Sequence, residues 1–324
     1  MSYRSAAKKT AAVCRRLSQE LERPWLPLYL DALCCSLRHG ASPENYAVLR
    51  FYDLPERERA RYLTSGRSRK LDRELNRSAR PEELACLMRK HLFNRFFHPW
   101  IRREWLYLPE ASPEALRSFL LRHDRIVLKP DGGIMGRGLE IAETAALDPD
   151  RLFRRGACEA LLAEERIEQH PSLAEIHAAS VNSVRVNSAR DRAGRTVLIG
   201  ACLKAGTGEG RADNFHAGGI AWPLDPETGC VCRSGRDRFG TADYPCHPDT
   251  GFPMRGFAVP FWPEILDCVR DCMARIPSVG YVGWDLAVTE GGPEMIEGNV
   301  RWPGGNIIQF DGEGKYPLLK SCSR

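Results

Sequence analysis

Three oxygen-bearing side chains near the C-terminus have the spacing of a cation site. Asp285 precedes a polar turn at residues 290–293, and Glu297 and Asn299 follow that turn. The flanking segments alternate in the manner of two strands joined as a hairpin. If the strands pair, Asp285 and Glu297 lie side by side and Asn299 projects from the same face. Two carboxylates and an amide oxygen suit Mg²⁺ carrying nucleotide phosphates; the alternative is a surface hairpin with solvated acids.

A glycine-rich loop occurs much earlier in the chain, between predicted strands at residues 125–129 and 139–142. Its glycines are Gly132, Gly133, Gly136 and Gly138. Such a loop can close over phosphates, and a plain turn is the alternative. No GK[ST] sequence follows and no helix opens there, so the loop is neither a Walker loop nor a dinucleotide fingerprint. Lys129, directly before the loop, favours nucleotide binding.

Two further segments place charged residues on predicted strands. Residues 160–167 have the pattern of a buried strand that ends in the acids Glu164 and Glu165. Residues 180–205 predict two strands paired around a short turn, and the first of them carries Arg185. Taken alone, an arginine in an alternating strand is more typical of a solvated face than of catalysis.

Residues 206–219 form a long, polar, glycine-rich segment that carries Arg211, Asn214 and His216. A loop of this length without secondary structure is usually functional or disordered. His216 could act as a general base for an amine because histidine titrates near neutral pH, but a loop histidine without a role is the simpler interpretation.

The elements that must position these residues fall into two parts. Residues 1–122 are predicted to be mainly helical, and the apolar spacing over residues 81–97 predicts one long amphipathic helix. Residues 65–80 are basic and polar, which favours a solvated helix face or a linker over a phosphate or nucleic-acid patch. Beyond residue 122 strands prevail, and a helix over residues 263–276 leads into the hairpin. The fold class is therefore α+β.

Composition limits the function classes. The chain has 324 residues, of which 43% are hydrophobic and 27% charged, and its net charge is +5. This mild basic excess suits the handling of anions but does not indicate a nucleic-acid binder. No apolar run reaches the ~20 residues of a membrane span, and the first residues lack a secretory signal. The twelve cysteines show no repeated CxxC pattern. We therefore expect a reduced, cytoplasmic protein with neither a membrane nor a nucleic acid as partner.

The order of these motifs along the chain resembles the ATP-grasp superfamily. The phrases ERIEQHP, SVNSVRV and GWDLAVTEGGPEMIEGN are most similar to the sugar-transfer-associated ATP-grasp proteins, which are often labelled alpha-L-glutamate-ligase-related. The resemblance covers roughly residues 90–310. It implies two α+β lobes that clasp ATP, preceded by a mainly helical region. The expected divisions are a helical region over residues 1–100, a small lobe with the glycine loop and adenine hinge over 101–175, and a C-terminal lobe with the metal hairpin over 176–324.

The resemblance also implies a role for each candidate residue. Phosphates, adenine and ribose of ATP would be held by Lys90, Lys129, Gly132, Gly133, Gly136, Gly138, Glu164, Glu165, Arg166, Ile167, Gln169 and His170. Charge on the transferring phosphoryl group would be stabilised by Arg185, Arg211 and Asn214. Mg²⁺, expected as two ions and with Mn²⁺ as an alternative, would be bound by Asp285, Glu297 and Asn299.

The implied activity is an ATP- and Mg²⁺-dependent carboxylate–amine ligase that forms an amide or peptide bond through an acyl-phosphate and releases ADP and phosphate. Its substrates would be a small-molecule or peptide carboxylate and an amine such as an amino acid. A kinase of the same fold, acting on a hydroxyl of a sugar or polyol, is the alternative, and the products separate the two. A non-catalytic nucleotide-binding protein is a third class, against which the acidic triad and both lysines argue.

Overall fold

A computed structural model of the protein describes residues 3–133, 138–208, 210, 213–215, 218–301 and 303–323. The N-terminal part is helical, as the sequence predicts. Its helices are α1 (Tyr3–Glu20), α2 (Trp25–His39), α3 (Pro43–Val48), α4 (Glu56–Arg59), α5 (Ser65–Leu75), α6 (Pro81–Met88) and α7 (Lys90–Phe96). The helix alternative therefore holds for most of residues 65–80. The Thr64 side chain caps α5 by accepting the Arg67 N–H.

A small sheet follows in the chain. Its elements are β1 (Trp105–Tyr107), α8 (Pro113–Arg122), β2 (Arg125–Pro130), β3 (Glu140–Glu143), α9 (Pro149–Glu159) and β4 (Leu161–Glu165). The strand order is β1-β4-β2-β3, and each pairing is antiparallel. On one face Leu128 and Leu161 join Phe119 of α8 in a common core. Lys129 and Glu164, which alternate with those core residues, project from the opposite face.

A large sheet forms the C-terminal part. Its elements are α10 (Pro171–Ala174), β5 (Ser183–Arg190), β6 (Thr196–Ala205), β7 (Ile220–Leu224), α11 (Trp262–Arg275), β8 (Tyr281–Thr289), β9 (Gly292–Asn299) and α12 (Tyr316–Cys322). The strand order is β7-β6-β5-β8-β9, again antiparallel. β8 and β9 are the two strands of the predicted hairpin.

The large sheet has two different faces, each covered by helices. Val184 and Trp284 belong to a core that also contains residues of α6, α7 and α11. Tyr281, on the other face, belongs to a core that contains residues of α1, α2, α5 and α12. Arg185 and Asp285 alternate with Val184 and Trp284, so they lie on the face that the N-terminal helices cover. The helical region is thus packed against the sheet that carries the candidate site.

The single helix predicted over residues 81–97 is two helices in the structure. The backbone leaves the helical region at Arg89 (φ −118°, ψ 120°), between α6 and α7. The buried carboxylate of Asp131 accepts the His91 N–H at 2.9 Å and so satisfies the first turn of α7. The cap comes from the glycine-loop segment, which sequence periodicity cannot take into account. The break places Lys90 at the start of α7.

Five elements were not predicted from the sequence, namely β1, α9, α10, β7 and α12. β7 contains Pro223, which cannot donate to a strand ladder, and it lies at the edge of the large sheet, where a proline is tolerated. α9 is rich in arginine and has few apolar residues to set a helical period. Among the described helices, none is long and apolar enough to cross a bilayer. The twelve cysteines all lie in the described part, and each is a free thiol.

Candidate active site

The hairpin brings the three predicted metal ligands together. Asp285 and Glu297 are opposite each other in the β8–β9 register, next to a register shift after Asp285. The Asn299 amide donates to Glu297 Oε1 at 3.1 Å and to Asp285 Oδ2 at 3.3 Å. A polarised N–H group therefore lies between the two carboxylates, in a position that favours positive charge. Carboxylate and amide oxygens are the donors that Mg²⁺ prefers, so the chemistry of this group fits that ion.

No group of three or more His, Cys, Asp or Glu side chains arranged for a metal occurs among the described residues. The hairpin site has two carboxylates, and the third metal ligand would be the amide oxygen of Asn299. The fit to Mg²⁺ therefore depends on Asp285, Glu297 and Asn299 together.

Two buried cations hold Asp285. Arg185, its register partner on β5, donates from Nε to Oδ1 at 2.7 Å and from Nη2 to Oδ2 at 2.6 Å. Lys204 lies 3.0 Å from Oδ1. Burial on its own would raise the pKa of Asp285, but the charges of Arg185 and Lys204 outweigh burial and hold that pKa well below its usual range. Asp285 is therefore ionised at neutral pH.

Lys204 is a site residue that the sequence analysis missed. It lies on β6, and only 7% of it is exposed. Burial would lower the pKa of Lys204, but the Asp213 and Asp285 carboxylates outweigh burial and raise it. Asp213 is in turn fixed by the Ser183 N–H, which it accepts at 3.0 Å. The available signal was a lysine inside the otherwise apolar strand TVLIGACLKA, since buried charges need partners.

On the small sheet, Lys129 forms an ion pair with the buried Glu164. Asn94 of α7 donates to the same carboxylate at 2.7 Å, and Arg103 donates to it at 3.0 Å. Burial would raise the pKa of Glu164, but the charges of Arg103 and Lys129 outweigh burial and hold it well below the usual carboxyl range. In this structure the Glu164 side chain is thus engaged by cations.

Arg103 links the two sheets, and no periodicity in the sequence marks it. Besides Glu164, it binds Glu294 of β9, with Nη1 at 2.5 Å from Oε1, and donates to the Met295 carbonyl at 2.9 Å. Only 5% of Arg103 is exposed. Glu294 precedes Glu297 on the same strand. Arg103 therefore connects β4, which carries Glu164, with β9, which carries Glu297 and Asn299.

Lys90 lies between these two groups of charges. Its Nζ donates to the Gly133 carbonyl of the glycine loop at 2.5 Å. Burial lowers the pKa of Lys90, the Glu297 carboxylate opposes this, and Lys129 adds to the lowering. The pKa of Lys90 therefore responds to charges on both the hairpin (Glu297) and the small sheet (Lys129).

Comparison with known proteins identifies the family of the chain. The family model for sugar-transfer associated ATP-grasp proteins matches residues 110–324. The chain belongs to this family. It accordingly has the ATP-grasp fold, with a helical N-terminal region before it. None of the curated proteins matches the chain.

The similar solved structures are distant. The chain is 16% identical to the ATP-grasp ligase PsnB complexed with minimal precursor, with a TM-score of 0.46, and 76% of this chain covers 62% of that one. For the ADP complex of purK, an N5-carboxyaminoimidazole ribonucleotide synthetase, the identity is 12%, the TM-score 0.44 and the coverage 67% and 46%. For N5-carboxyaminoimidazole synthase from Aspergillus clavatus the identity is 10% and the TM-score 0.44, and the match covers 69% of this chain and 46% of that one. This ATP-grasp chain thus spans less than two thirds of each.

The hinge segment of this ATP-grasp chain follows β4. The Glu165 carboxylate accepts the Glu104 N–H at 2.9 Å, so the Glu165 side chain is bound to the residue that directly precedes β1. Arg166 and Ile167 come directly after the strand and are half-buried. Their predicted role, binding adenine through the backbone, stays a prediction.

The residues predicted to face the ribose have local partners. The Gln169 amide donates to the His177 and Ser180 carbonyls at 2.9 Å and 2.8 Å, and its oxygen accepts the Asn182 N–H at 2.8 Å. His170 caps α10, its Nδ1 accepting the Ser172 N–H at 3.2 Å. Both side chains hold the segment between the sheets, and their role at the ribose stays a prediction.

The two loops are described in part. Gly138 adopts φ +75°, and a Cβ there would lie 2.8 Å from Pro130 Cγ, so this position requires glycine. Gly132 and Gly133 follow β2 after Asp131, while Gly136 lies outside the described residues. In the second loop, the Asn214 carbonyl accepts the Gly219 N–H at 3.1 Å. Arg211 and His216 lie outside the described residues, so their predicted roles stay predictions.

Proposed function

We propose that the protein is an ATP- and Mg²⁺-dependent carboxylate–amine ligase that forms an amide through an acyl-phosphate and releases ADP and phosphate. The observation that carries this proposal is the acidic hairpin beside two buried cations. Asp285, Glu297 and Asn299 offer ligands for a divalent ion, and Arg185 and Lys204 add positive charge on the same face. This combination suits a transferring phosphoryl group, whose charge must be neutralised from several sides.

Binding of ATP would be divided between the two sheets. Lys90 and Lys129 would contact phosphate oxygens, and the N–H groups of the glycine loop would close over them. The backbone of Arg166 and Ile167 would bind adenine. When bound at the hairpin, Mg²⁺ would neutralise charge on the β- and γ-phosphates. Lys129 would exchange its Glu164 partner, in whole or in part, for a phosphate oxygen.

Arg185 and Lys204 would have different duties. Arg185 donates twice to Asp285 and so fixes the orientation of that ligand. The Lys204 ammonium is compact and lies between Asp213 and Asp285. It would therefore donate a hydrogen bond to an acyl-phosphate or γ-phosphate oxygen while keeping its carboxylate partners. Arg211 and Asn214 are proposed to stabilise the same charge from the loop.

A hydroxyl acceptor and a carboxylate acceptor make different demands on the site. A hydroxyl needs a general base to accept its proton, whereas a carboxylate is already ionised. The charges of buried cations hold the pKa values of Asp285 and Glu164 low despite burial, which makes both groups poor candidates for that base. The products of the reaction separate the ligase from the kinase.

Trapping with hydroxylamine tests the proposal without knowledge of the natural amine. The protein is incubated with ATP, Mg²⁺, hydroxylamine and a panel of amino acids and small carboxylates. A ligase converts its carboxylate to an acyl-phosphate, which hydroxylamine captures as a hydroxamate with one phosphate released per product. Phosphate retained on a hydroxyl acceptor, with no hydroxamate from any carboxylate, would contradict the ligase and support the kinase.

Lys129→Ala tests the nucleotide part of the proposal separately. We expect it to weaken ATP binding at least ~10-fold by calorimetry, because a charge-assisted contact to phosphate is lost. Lys320→Ala, which removes a half-exposed lysine of α12, is the matched control and should leave ATP affinity unchanged. Equal ATP affinity in all three proteins would remove Lys129 from the site.

A further inference from the structure

Helix α2 is apolar on two opposite faces. Leu28, Ala32 and Cys35 are buried in the core that the N-terminal helices share with the large sheet. On the outer face, Leu30 is 54% exposed and Leu37 is 88% exposed. A helix that is apolar all round is normally covered on all sides. The outer face of α2 therefore lacks a cover among the described residues.

The apolar side chains on the outer face follow the helical repeat. Leu26, Leu30, Leu33 and Leu37 recur at intervals of four, three and four residues, which places them in one row along the helix. Leu33 is half-buried and the other three are exposed. We call these four residues the α2 stripe. Trp25, 41% exposed, lies at its N-terminal end. Elsewhere in the described part, exposed large apolar residues occur singly on separate elements, namely Met88, Leu121, Phe239 and Leu318.

Basic side chains flank the α2 stripe. The Arg15 guanidinium carbon of α1 lies 5.6 Å from the centre of the Trp25 ring. Lys8, also on α1, is exposed, and the Arg38 side chain at the other end of α2 is 66% exposed while it pairs with Glu56 at 3.6 Å. The acid on α2, Asp31, is already bound by Arg59 at 2.6 Å.

The charge of the whole helical region points the same way. Residues 1–100 contain 20 Lys and Arg against 11 Asp and Glu, whereas residues 101–324 contain 27 against 31. The excess of basic residues is therefore confined to the part of the chain that carries the stripe. Such asymmetry is typical of a region that meets an anionic surface.

We propose that the α2 stripe binds an anionic lipid surface, with α2 lying in the plane of the interface. The leucines would enter the boundary between headgroups and acyl chains, Trp25 would lie at headgroup level, and Lys8, Arg15 and Arg38 would face lipid phosphates. This mode needs no membrane-spanning segment. It revises the expectation from sequence that no membrane is a partner, which rested on the lack of an apolar span.

A second copy of the chain is a poorer occupant for two reasons. Pairing two stripes would bring two basic regions together, which like charge opposes. In addition, one 15-residue helix is about 22 Å long and about 10 Å wide, so its outer face falls far short of the ~800 Å² per partner of a stable interface. A lipid surface is attracted by the same charge and sets no such minimum.

Vesicle flotation with the full chain tests the proposal. Wild-type protein should float with vesicles of phosphatidylglycerol and phosphatidylcholine and bind pure phosphatidylcholine vesicles much less. The double variant Leu30→Gln/Leu37→Gln, which removes apolar contact without adding charge, should reduce the partition coefficient roughly tenfold or more. Leu121→Gln is the matched control, because Leu121 is as exposed as Leu37 but lies on α8 of the small sheet.

The controls keep the outcomes distinct. Circular dichroism melting should give equal transitions for wild type and both variants, since all three positions are exposed. Unchanged flotation of the double variant, or equal losses in the Leu121 control, would overturn the proposal. Absence of flotation together with a dimer that the double variant dissociates would overturn it in favour of a second copy.

Discussion

Asp285 and Glu164 are each a buried carboxylate held by two cations, one on each sheet. Burying a charge is costly unless it is paired and hydrogen-bonded, and both acids meet that condition. Asp285 has Arg185 and Lys204, and Glu164 has Lys129 and Arg103. The arrangement keeps fixed positive charge on both sides of the cleft in which we propose that ATP binds.

Glu297→Gln should abolish Mg²⁺-dependent ATP turnover while leaving the fold intact. The change removes an anionic ligand from the hairpin but keeps side-chain size, and Glu297 is only partly buried. Phosphate release measures the effect, and a loss of at least ~100-fold is expected for one ligand of a catalytic ion. Glu290→Gln, at the exposed turn of the same hairpin, should retain wild-type rates. Equal rates in both variants would remove Glu297 from the metal site.

Stability should fall in acid because of these two carboxylates. Their pKa values are depressed in the folded protein, where cation charge outweighs the opposing effect of burial. Their contribution is therefore complete above the unfolded carboxyl pKa of about 4 and is lost as pH falls below it. Urea unfolding at pH 6, 4.5 and 3.5 measures this loss. Asp285→Asn should show a shallower acid dependence, and a slope equal to that of wild type would contradict the assignment.

The sequence predicts some site residues and not others for identifiable reasons. Asp285, Glu297 and Asn299 were found because a hairpin and a period of two place them on one face. Lys204 and Arg103 were not found, because their partners come from other strands and no local spacing marks a long-range ion pair. The ligand roles of Gln169 and His170 rest on the family resemblance and stay predictions, and in the structure both side chains bind neighbouring backbone groups.

At the scale of elements, β9 and β4 are connected through Arg103. Its guanidinium contacts Glu294 on β9 and Glu164 on β4, and it is buried between them. A single side chain thus sets how the hairpin and the small sheet meet. We infer that it is a positioning residue for the site, since it is placed to act through Glu164 and the hairpin.

A double-mutant cycle on Arg103 and Glu294 should reveal this connection. Arg103→Met should cost about 3–5 kcal/mol in the free energy of unfolding, because two buried carboxylates lose their partner. Adding Glu294→Gln should recover part of that loss, with an interaction energy of at least ~1 kcal/mol by urea denaturation. Arg102→Met, at the exposed neighbouring position, should stay within about 0.5 kcal/mol of wild type. Strict additivity of the first two changes would contradict a direct ion pair.

Helix α7 shows where element prediction from sequence ends. The apolar period over residues 81–97 predicts the buried face correctly, since α6 and α7 both face the core through Leu87 and Phe93. The break at Arg89 depends on the Asp131 carboxylate, which arrives from the glycine loop. Local pattern predicts which face is buried, whereas a distant cap decides where the backbone turns.

At the scale of the whole molecule, the N-terminal helices and the large sheet share one core. Leu17 of α1 and Ile199 of β6 are both buried in the same cluster. The division at residue 100 that was proposed from sequence therefore separates elements that pack together. The composition change near residue 122 marks the onset of strands, but it carries no information about which surfaces meet.

Leu17→Ala and Ile199→Ala should accordingly lower the same unfolding transition. Each change leaves a cavity in the shared core, and a Leu→Ala or Ile→Ala change of this kind typically costs about 2–5 kcal/mol. Far-UV circular dichroism follows all helices, while tryptophan fluorescence follows seven tryptophans, of which Trp222 and Trp284 are buried in the large sheet. Both probes should give coincident transitions in each variant. A separate early transition in Leu17→Ala, seen by circular dichroism alone, would show an independent helical domain.

The burial of the Arg185–Lys204–Asp285 group has a consequence for ionic strength. Mobile salt ions screen exposed charges within a Debye length of about 8 Å at 0.15 M, but they screen buried ion pairs much less. The attraction that these side chains exert on a phosphoryl group should therefore persist in concentrated salt. The basic side chains around α2 are exposed to solvent, so lipid binding at α2 should weaken as the salt concentration rises. One titration with sodium chloride should thus separate the interior chemistry of this chain from its exterior attachment.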